Sequence, residues 1–372
     1  CKYPIIFCHN LTFAVMAEIK KVLGLMSGTS LDGLDLALVN ITEANDGMHY
    51  EIAAAETIEY DQKQRDELTN AKMLSGERLF ELHHKFGVFL GESSLKFLQK
   101  HQLSCDLIAS HGHTVFHQPA NGFTTQIGHG AAIAAVTGIT TVCDFRSIDV
   151  ALGGQGAPLV PIGDELFFGM YDYCLNLGGI ANISFRKNLN RIAFDICPVN
   201  MALNYLANAC GQNYDAEGKI AASGKLNTTL LDKLNALEFY RTPYPRSLGV
   251  EWFNEYFLPV LNASTASLTD KTTTVTHHIA KQIGDSLTIS DNKLKSTLLV
   301  TGGGSKNKFL VQKIQENTSV QIIIPDEKII DFKEALIFAL LGYLRINNHK
   351  NTLATVTGAK KDSVGGAVYL MA

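Results

Sequence analysis

The sequence predicts an α/β protein in two tightly joined domains, built on a duplicated nucleotide-binding fold. Three observations carry this expectation. Strand and helix patterns alternate along the chain, as the α/β class requires. Two strand–glycine turn–strand units, around Gly28 and Gly178, stand 150 residues apart. A third turn, Gly302-Gly303-Gly304, follows a buried strand pattern and precedes a helix. A chain of 372 residues is long enough to split into about two domains.

Residues 1–15 are expected to be an upstream extension outside the fold, loosely attached. Val22–Met26 and Leu36–Ile41 read as strands joined by a turn of Gly, Asp and hydroxyl residues. The apolar spacing of Leu79, Leu82, Phe86, Phe89 and Leu90 predicts a helix over 78–99. A short strand over 106–109 ends at Ser110-His111-Gly112-His113. Residues 131–136 form a small-residue helix, and 140–143 a strand running into Asp144-Phe145-Arg146. A glycine loop follows at 153–158. Residues 173–177 and 180–185 form the second hairpin, and 192–194 a strand leading to Asp195. Asn200 is expected to cap a helix over 201–209 that stops at Gly211. Residues 297–300 and 322–324 read as strands, and 307–315 and 333–345 as helices.

Composition removes several classes of function. The net charge of −4 offers no field for nucleic acid or an anionic membrane surface. No run of 18 apolar residues occurs, so no membrane span is expected. The seven cysteines are odd in number and lack CxxC spacing, which argues for a reducing compartment such as the cytoplasm. No GxxxxGK[ST], complete GxGxxG or HRD-type loop is present, so P-loop, dinucleotide and protein-kinase readings fall away.

Fourteen of the 31 glycines lie in six short segments, so they mark places rather than composition. Bare glycine turns let backbone N–H groups approach an anion. Ser27, Thr29 and Ser30 add hydroxyl donors, and Asp32 and Asp35 are hard oxygen ligands for Mg²⁺, directly or through water. The plain alternative for each hairpin is an ordinary turn; the pair plus the GGG turn points to a phosphate clamp from each half. His111, His113, His117 and His129 also invite a metal reading, with His111 and His113 expected on one side of a strand.

The segments GLMSGTSLDGLDLAL, SHGHTVFHQP, DFRSIDVALGGQGAPLVP, LNLGGIANIS, YPRSLGVEWF and TGGGSKNKFL resemble the anhydro-N-acetylmuramic acid kinase family. They run in the family's order from about residue 22 to the end of the chain. The resemblance implies a two-domain, duplicated actin/hexokinase-like ATPase fold with an interdomain cleft. The expected division is 16–145, with 350–372 packing back onto it, and 146–349. It implies ATP and Mg²⁺ as cofactors, a small amino sugar as substrate, a place in the cytoplasm, and family members that are often homodimers. The implied reaction opens a 1,6-anhydro bridge with water and phosphorylates O6, in peptidoglycan recycling.

Asp195 is the expected base and matches the family's catalytic aspartate; the plain alternative is an N-cap for the next helix. Gly28, Thr29, Ser30, Leu31, Asp32, Gly33, Leu34 and Asp35 would hold phosphate from one half, with Asp32 on the metal. Gly178 and Gly179 would do so from the other half, and Gly302, Gly303 and Gly304 would lie against adenosine. Arg146, His111, His113 and Asn200 are the expected sugar contacts, Arg146 through the lactyl carboxylate or a phosphate; its alternative is an ion pair with Asp144 or Asp149. Glu334 either approaches the nucleotide or is a solvated helix start, and Cys197 is either reactive or inert. Where the family more often has Asp-Thr-Gly-Pro-Gly-Asn, this chain reads Asp195-Ile196-Cys197-Pro198-Val199-Asn200. That change leaves two alternatives, a different substrate clamp or a sugar-sensing pseudokinase. A zinc hydrolase built on His111 and His113 is a third reading.

Overall fold

The computed structural model describes residues 19–288 and 296–371, so the expected extension at 1–15 lies outside the described residues. Two sheets organise the chain. The first contains β1 (Lys20–Ser27), β2 (Gly33–Ala44), β3 (Gly47–Glu59), β4 (Leu107–Gln118), β5 (Phe123–Ile127), β6 (Thr141–Cys143) and β12 (Ala367–Tyr369). Its order is β12-β6-β4-β1-β2-β3, with β5 added to β4. The second contains β7 (Tyr173–Leu177), β8 (Ile180–Lys187), β9 (Asn190–Pro198), β10 (Thr297–Thr301) and β11 (Gln321–Ile323), in the order β11-β10-β7-β8-β9.

The two sheets repeat one plan. Each starts with a three-strand antiparallel meander, β1-β2-β3 and β7-β8-β9. Each then places its next strand, β4 or β10, parallel to the first, and a further parallel strand, β6 or β11, beyond it. The expected duplication is therefore a duplication of topology. Each glycine hairpin occupies the same position in its half, between the first and second strands.

Helix Glu327–Ile346 lies across the first sheet, on β1, β2 and β4. Close approach is possible because Gly24 has no side chain: a Cβ there would sit 2.0 Å from the Ala335 carbonyl oxygen. Gly24 thus serves packing, apart from the turn it neighbours in sequence. The opposite face of the sheet is covered by helix Gly76–His101, through Phe86, Leu90 and Phe97.

Several expectations need correction. β4 runs on to Gln118 and pairs with β5, where the sequence pattern ends it near residue 109. β3 and helix Gln62–Asn70 had no sequence signal: β3 is an edge strand with alanines and charges in place of a strong apolar alternation. The helix expected over 333–345 begins earlier, at Glu327, because the Asp326 carboxylate accepts from the Ile329 N–H at 3.0 Å. Asn200 is not a cap; the helix is Asn200–Ala209 and Val199 holds the cap position.

Candidate active site

β1 ends at Ser27 and the turn Gly28–Asp32 follows, with Leu31 at φ +61°. Thr29, Ser30 and Asp32 are exposed, and no atom crowds the open side of Gly28 closer than Ser30 Oγ at 3.4 Å. Gly33 is buried against Ile58 and Thr57 of β3, and Leu34 is fully buried in the core, so these two offer a ligand only backbone. Ser27 is braced from behind. Tyr60 donates to Ser27 Oγ at 2.7 Å, and Ser27 Oγ stands 3.0 Å from His113 Nδ1.

His111 and His113 do not share a side of β4. Gly112, at φ +71°, adds a residue to the strand: Leu25 pairs with Ser110, yet Ser27 pairs with His113. The ring of His111 packs 4.6 Å from Phe338 of helix Glu327–Ile346, and that of His113 packs 6.3 Å from Phe86 on the other face. Burial holds His113 down to about 4 and His111 well below the usual histidine range, with Arg146 adding to the latter. Arg146 Nε donates to His111 Nε2 at 3.0 Å, so His111 carries its proton on Nδ1 and donates it to the Gly112 carbonyl at 2.9 Å. Both nitrogens of His111 are thereby engaged. Among the described residues no three His, Cys, Asp or Glu side chains are placed to hold a metal ion, and the zinc reading has no ligand set.

The second donor of Arg146, Nη1, bonds the Gly156 carbonyl at 2.7 Å. Asp149 instead accepts from Gly156 N–H and Thr357, and Asp144 accepts from Ser147. The expected alternative ion pair is thus not formed. Burial lowers Arg146 to about 10, against the pull of Glu334 and Asp149. Glu334 is solvent-accessible yet densely surrounded by protein, as in a cleft; it lies two turns inside its helix rather than at its start. Surrounding protein raises its carboxyl, opposed by Arg146 and Lys333. Asp35 is pushed up to about 6 by burial, opposed by the Thr57 hydroxyl at 2.6 Å and reinforced by Glu334, Asp32 and Asp331. Asp331 also pairs with Lys306 at 2.6 Å, which ties the turn after β10 to this acidic group.

The second-half turns form one group. Asn200 Nδ2 donates to the Leu177 carbonyl at 3.2 Å, and the backbone N–H groups of Val199, Asn200 and Met201 bond the carbonyls of Gly178 and Gly179. Gly303 and Gly304 lie against the Asn200 amide, and Gly302 against Asn176. Asn200 is therefore placed with the turns at Gly178 and Gly302–Gly304. Open space surrounds Gly179.

Asp195 lies on β9, the edge strand of its sheet. It pairs with Asn182, whereas Cys197 pairs with Ala181, so Ile196 is a bulge that re-aims the carboxylate. Asp195 caps no helix. Its Oδ2 accepts from Leu248 N–H at 2.8 Å and from Ser247 at 3.2 Å. Burial raises its carboxyl; Leu248, Ser247 and Arg246 oppose that. Arg246, Ser247 and Leu248 belong to a segment whose motif is legible but whose role is not, because no spacing connects it to Asp195. Cys197 and Val199 are fully buried in the core, and burial pushes the Cys197 thiol up, which settles the thiol as inert.

Two copies of one sheet plan, each with a glycine hairpin after its first strand, define a duplicated α/β fold. A family model described as anhydro-N-acetylmuramic acid kinase matches residues 20–371. The chain belongs to the anhydro-N-acetylmuramic acid kinase family. It is 39% identical to the anhydro-N-acetylmuramic acid kinase of Pasteurella multocida, over 93% of this chain and 96% of that protein. It is 36% identical to the one from Synechococcus elongatus, over 94% and 99%. Among solved structures it is similar to Plasmodium falciparum glycerol kinase with ADP, at TM-score 0.42 and 10% identity, covering 88% of this chain and 90% of that one.

Proposed function

We propose that this chain is an ATP-dependent kinase that opens 1,6-anhydro-N-acetylmuramic acid with water and phosphorylates its O6. The product is N-acetylmuramic acid 6-phosphate, and the role is recycling of cell-wall sugar in the cytoplasm. The observation that carries this reading is the family match across residues 20–371. No helix among the described residues is long and apolar enough to cross a membrane.

Asp195 takes a proton from water, and the water oxygen bonds to C1 as the C1–O6 bond breaks. The freed O6 attacks the γ-phosphorus of ATP, ADP leaves, and the proton on Asp195 passes to solvent. The turn at Gly28, Thr29 and Ser30 and the turn at Gly178 and Gly179 hold the phosphates through N–H and hydroxyl donors. Gly302, Gly303 and Gly304, backed by Asn200, receive adenosine. Arg146 keeps Nη2 for an anionic group of the sugar or the phosphate, with His111 fixing its orientation. His113 acts behind the phosphate turn through Ser27.

The carboxylates near the first turn offer only oxygen, which suits Mg²⁺, and among the described residues no three of them are placed to hold an ion. That fits an ion held by one or two carboxylates, phosphate oxygens and waters. Asp32 would hold the ion, directly or through water, and Mg²⁺ there would neutralise phosphate charge.

The test is ATP consumption with the anhydro sugar and mass measurement of the product. Gain of one phosphate and one water supports the reading. Gain of phosphate alone removes the hydrolytic role of Asp195, and no ATP use with the sugar overturns the proposal.

A further inference from the structure

One feature near Asp195 has no place in the phosphate clamp or the sugar contacts. β9 is an edge strand, and segment 238–248 covers its free side. One main-chain and one side-chain hydrogen bond join the two: Asp195 N–H donates to the Arg246 carbonyl at 3.0 Å, and Arg246 Nε donates to the Asp195 carbonyl at 3.2 Å. The Arg246 guanidinium then ties the segment to itself. Nη1 faces the carbonyls of Phe239, Tyr240 and Thr242 at 3.2, 3.4 and 3.0 Å. The guanidinium carbon lies 4.8 Å from the ring centre of Phe239 and 5.6 Å from that of Phe194, the residue before Asp195. One planar fork therefore holds three carbonyls of the segment and one of the strand, between two rings.

The consequence falls on the carboxylate. Both donors that reach Asp195, the Ser247 hydroxyl and the Leu248 N–H, bind Oδ2. They follow Arg246 directly in sequence, so the clamp that fixes Arg246 fixes them. Oδ1 has no hydrogen-bond partner among the described residues.

We infer that Arg246 is a positioning residue for Asp195: it locks segment 238–248 so that Ser247 and Leu248 occupy Oδ2 and leave Oδ1 to receive the proton of the attacking water. The inference rests on the proposed reaction for the identity of that water. A lysine cannot replace the fork, because a single ammonium lacks the planar set of donors. Arg246 is the one charged group facing Asp195 among the described residues, and Asn182, opposite on β8, is neutral.

The sign of the effect follows. Donors to Oδ2 favour the charged carboxylate, so weakening them moves its titration to higher pH. Ser247 is exposed, so Ser247→Ala removes one donor with the fold intact. The expected result is an acid limb of kcat/KM displaced upward by about half to one pH unit. Arg246→Lys is expected to move the limb the same way and to lower kcat by ~10–100-fold, with the KM for ATP changed less than about threefold. The double variant is expected to show less than the sum of the two shifts, since both act through one carboxylate. The carboxyl carbon of Asp195, assigned by its loss in Asp195→Asn and titrated by ¹³C NMR, gives the same shift without turnover. An Asp195 titration at the wild-type pH in both Ser247→Ala and Arg246→Lys overturns the inference, even if Arg246→Lys lowers the melting temperature. Absence of wild-type turnover overturns the proposed reaction instead, while the NMR titration still decides whether Arg246 positions the carboxylate.

Discussion

The proposed reaction rests on one acidic side chain, Asp195, and burial raises its proton affinity, the direction a general base needs. Asp195→Asn keeps the shape and the Oδ2 partners and removes the base. Turnover is expected to fall by ~10²–10⁴ with an unchanged circular dichroism spectrum, and near-normal turnover would end the assignment. The neighbouring positions Cys197 and Val199 carry no exposed surface and belong to the core of the second half. Packed side chains thus stand where the resemblance implies glycines. Val199→Gly is expected to lower unfolding free energy by about 2–4 kcal/mol in urea titrations, with no gain in kcat. A stable, faster Val199→Gly enzyme would show that the altered loop, rather than the core, sets activity. Asp195 was legible from sequence as an acid after an apolar strand. Its partners were not, because the Ile196 bulge and the 246–248 contacts are tertiary. The Gly112 bulge likewise moves His113 to the face opposite His111, which strict alternation places together.

Among the elements, those that sequence shows best are the short apolar strands, whose burial leaves no other periodicity. Residues 212–296 hold no element that the pattern predicts, yet helix Leu268–Leu287 is a main support of the second sheet. Its threonines hide it: Thr272, Thr273, Thr274 and Thr276 are buried and disfavour helix as isolated residues. In place they bond the carbonyls four residues back, for example Thr274 to Asp270 at 2.7 Å, so no hydroxyl is left unpaired. The same helix carries His278, fully buried, donating from Nδ1 to Asn235 Oδ1 at 2.7 Å and accepting from Tyr240 at Nε2, 2.9 Å. Burial holds His278 down to about 3. Its folded value lies below its unfolded one of ~6.5, so acid favours the unfolded chain, which takes up the proton. Stability from this site is complete above about pH 6.5 and is lost as pH falls toward 3. Between pH 6 and 5, His278→Gln is expected to flatten the pH slope of unfolding free energy by about 1.2 kcal/mol per unit. Identical slopes for the two proteins would show that His278 is protonated in the folded state.

Across the whole molecule, helix Glu327–Ile346 does more than cover one sheet. Its core joins Val22 and Ala109 of the first sheet to Cys174 and Leu299 of the second, along with Ile162 and Phe168. Lys333 of this helix forms a buried ion pair with Asp164 at 2.7 Å, and Asp164 also accepts from Ser184 of β8 at 2.5 Å. The duplicated plan was legible because glycine hairpins recur; this shared core was not, since nothing in a 3.6-residue pattern says which sheet a helix will serve. One core spanning both halves should make them unfold together. Trp252, the single tryptophan, reports the second half, while far-ultraviolet circular dichroism reports the entire chain. In guanidinium the two probes are expected to give one midpoint, since unfolding of either half would expose the shared cluster on which the other packs. Lys333→Ala leaves the Asp164 carboxylate buried without its cation, an expected loss of about 3–5 kcal/mol. Because that loss falls on the shared core, both midpoints should move down together. Separation of the two probes in the wild-type protein would mean that each half is stable by itself and that the shared core is only a contact between them.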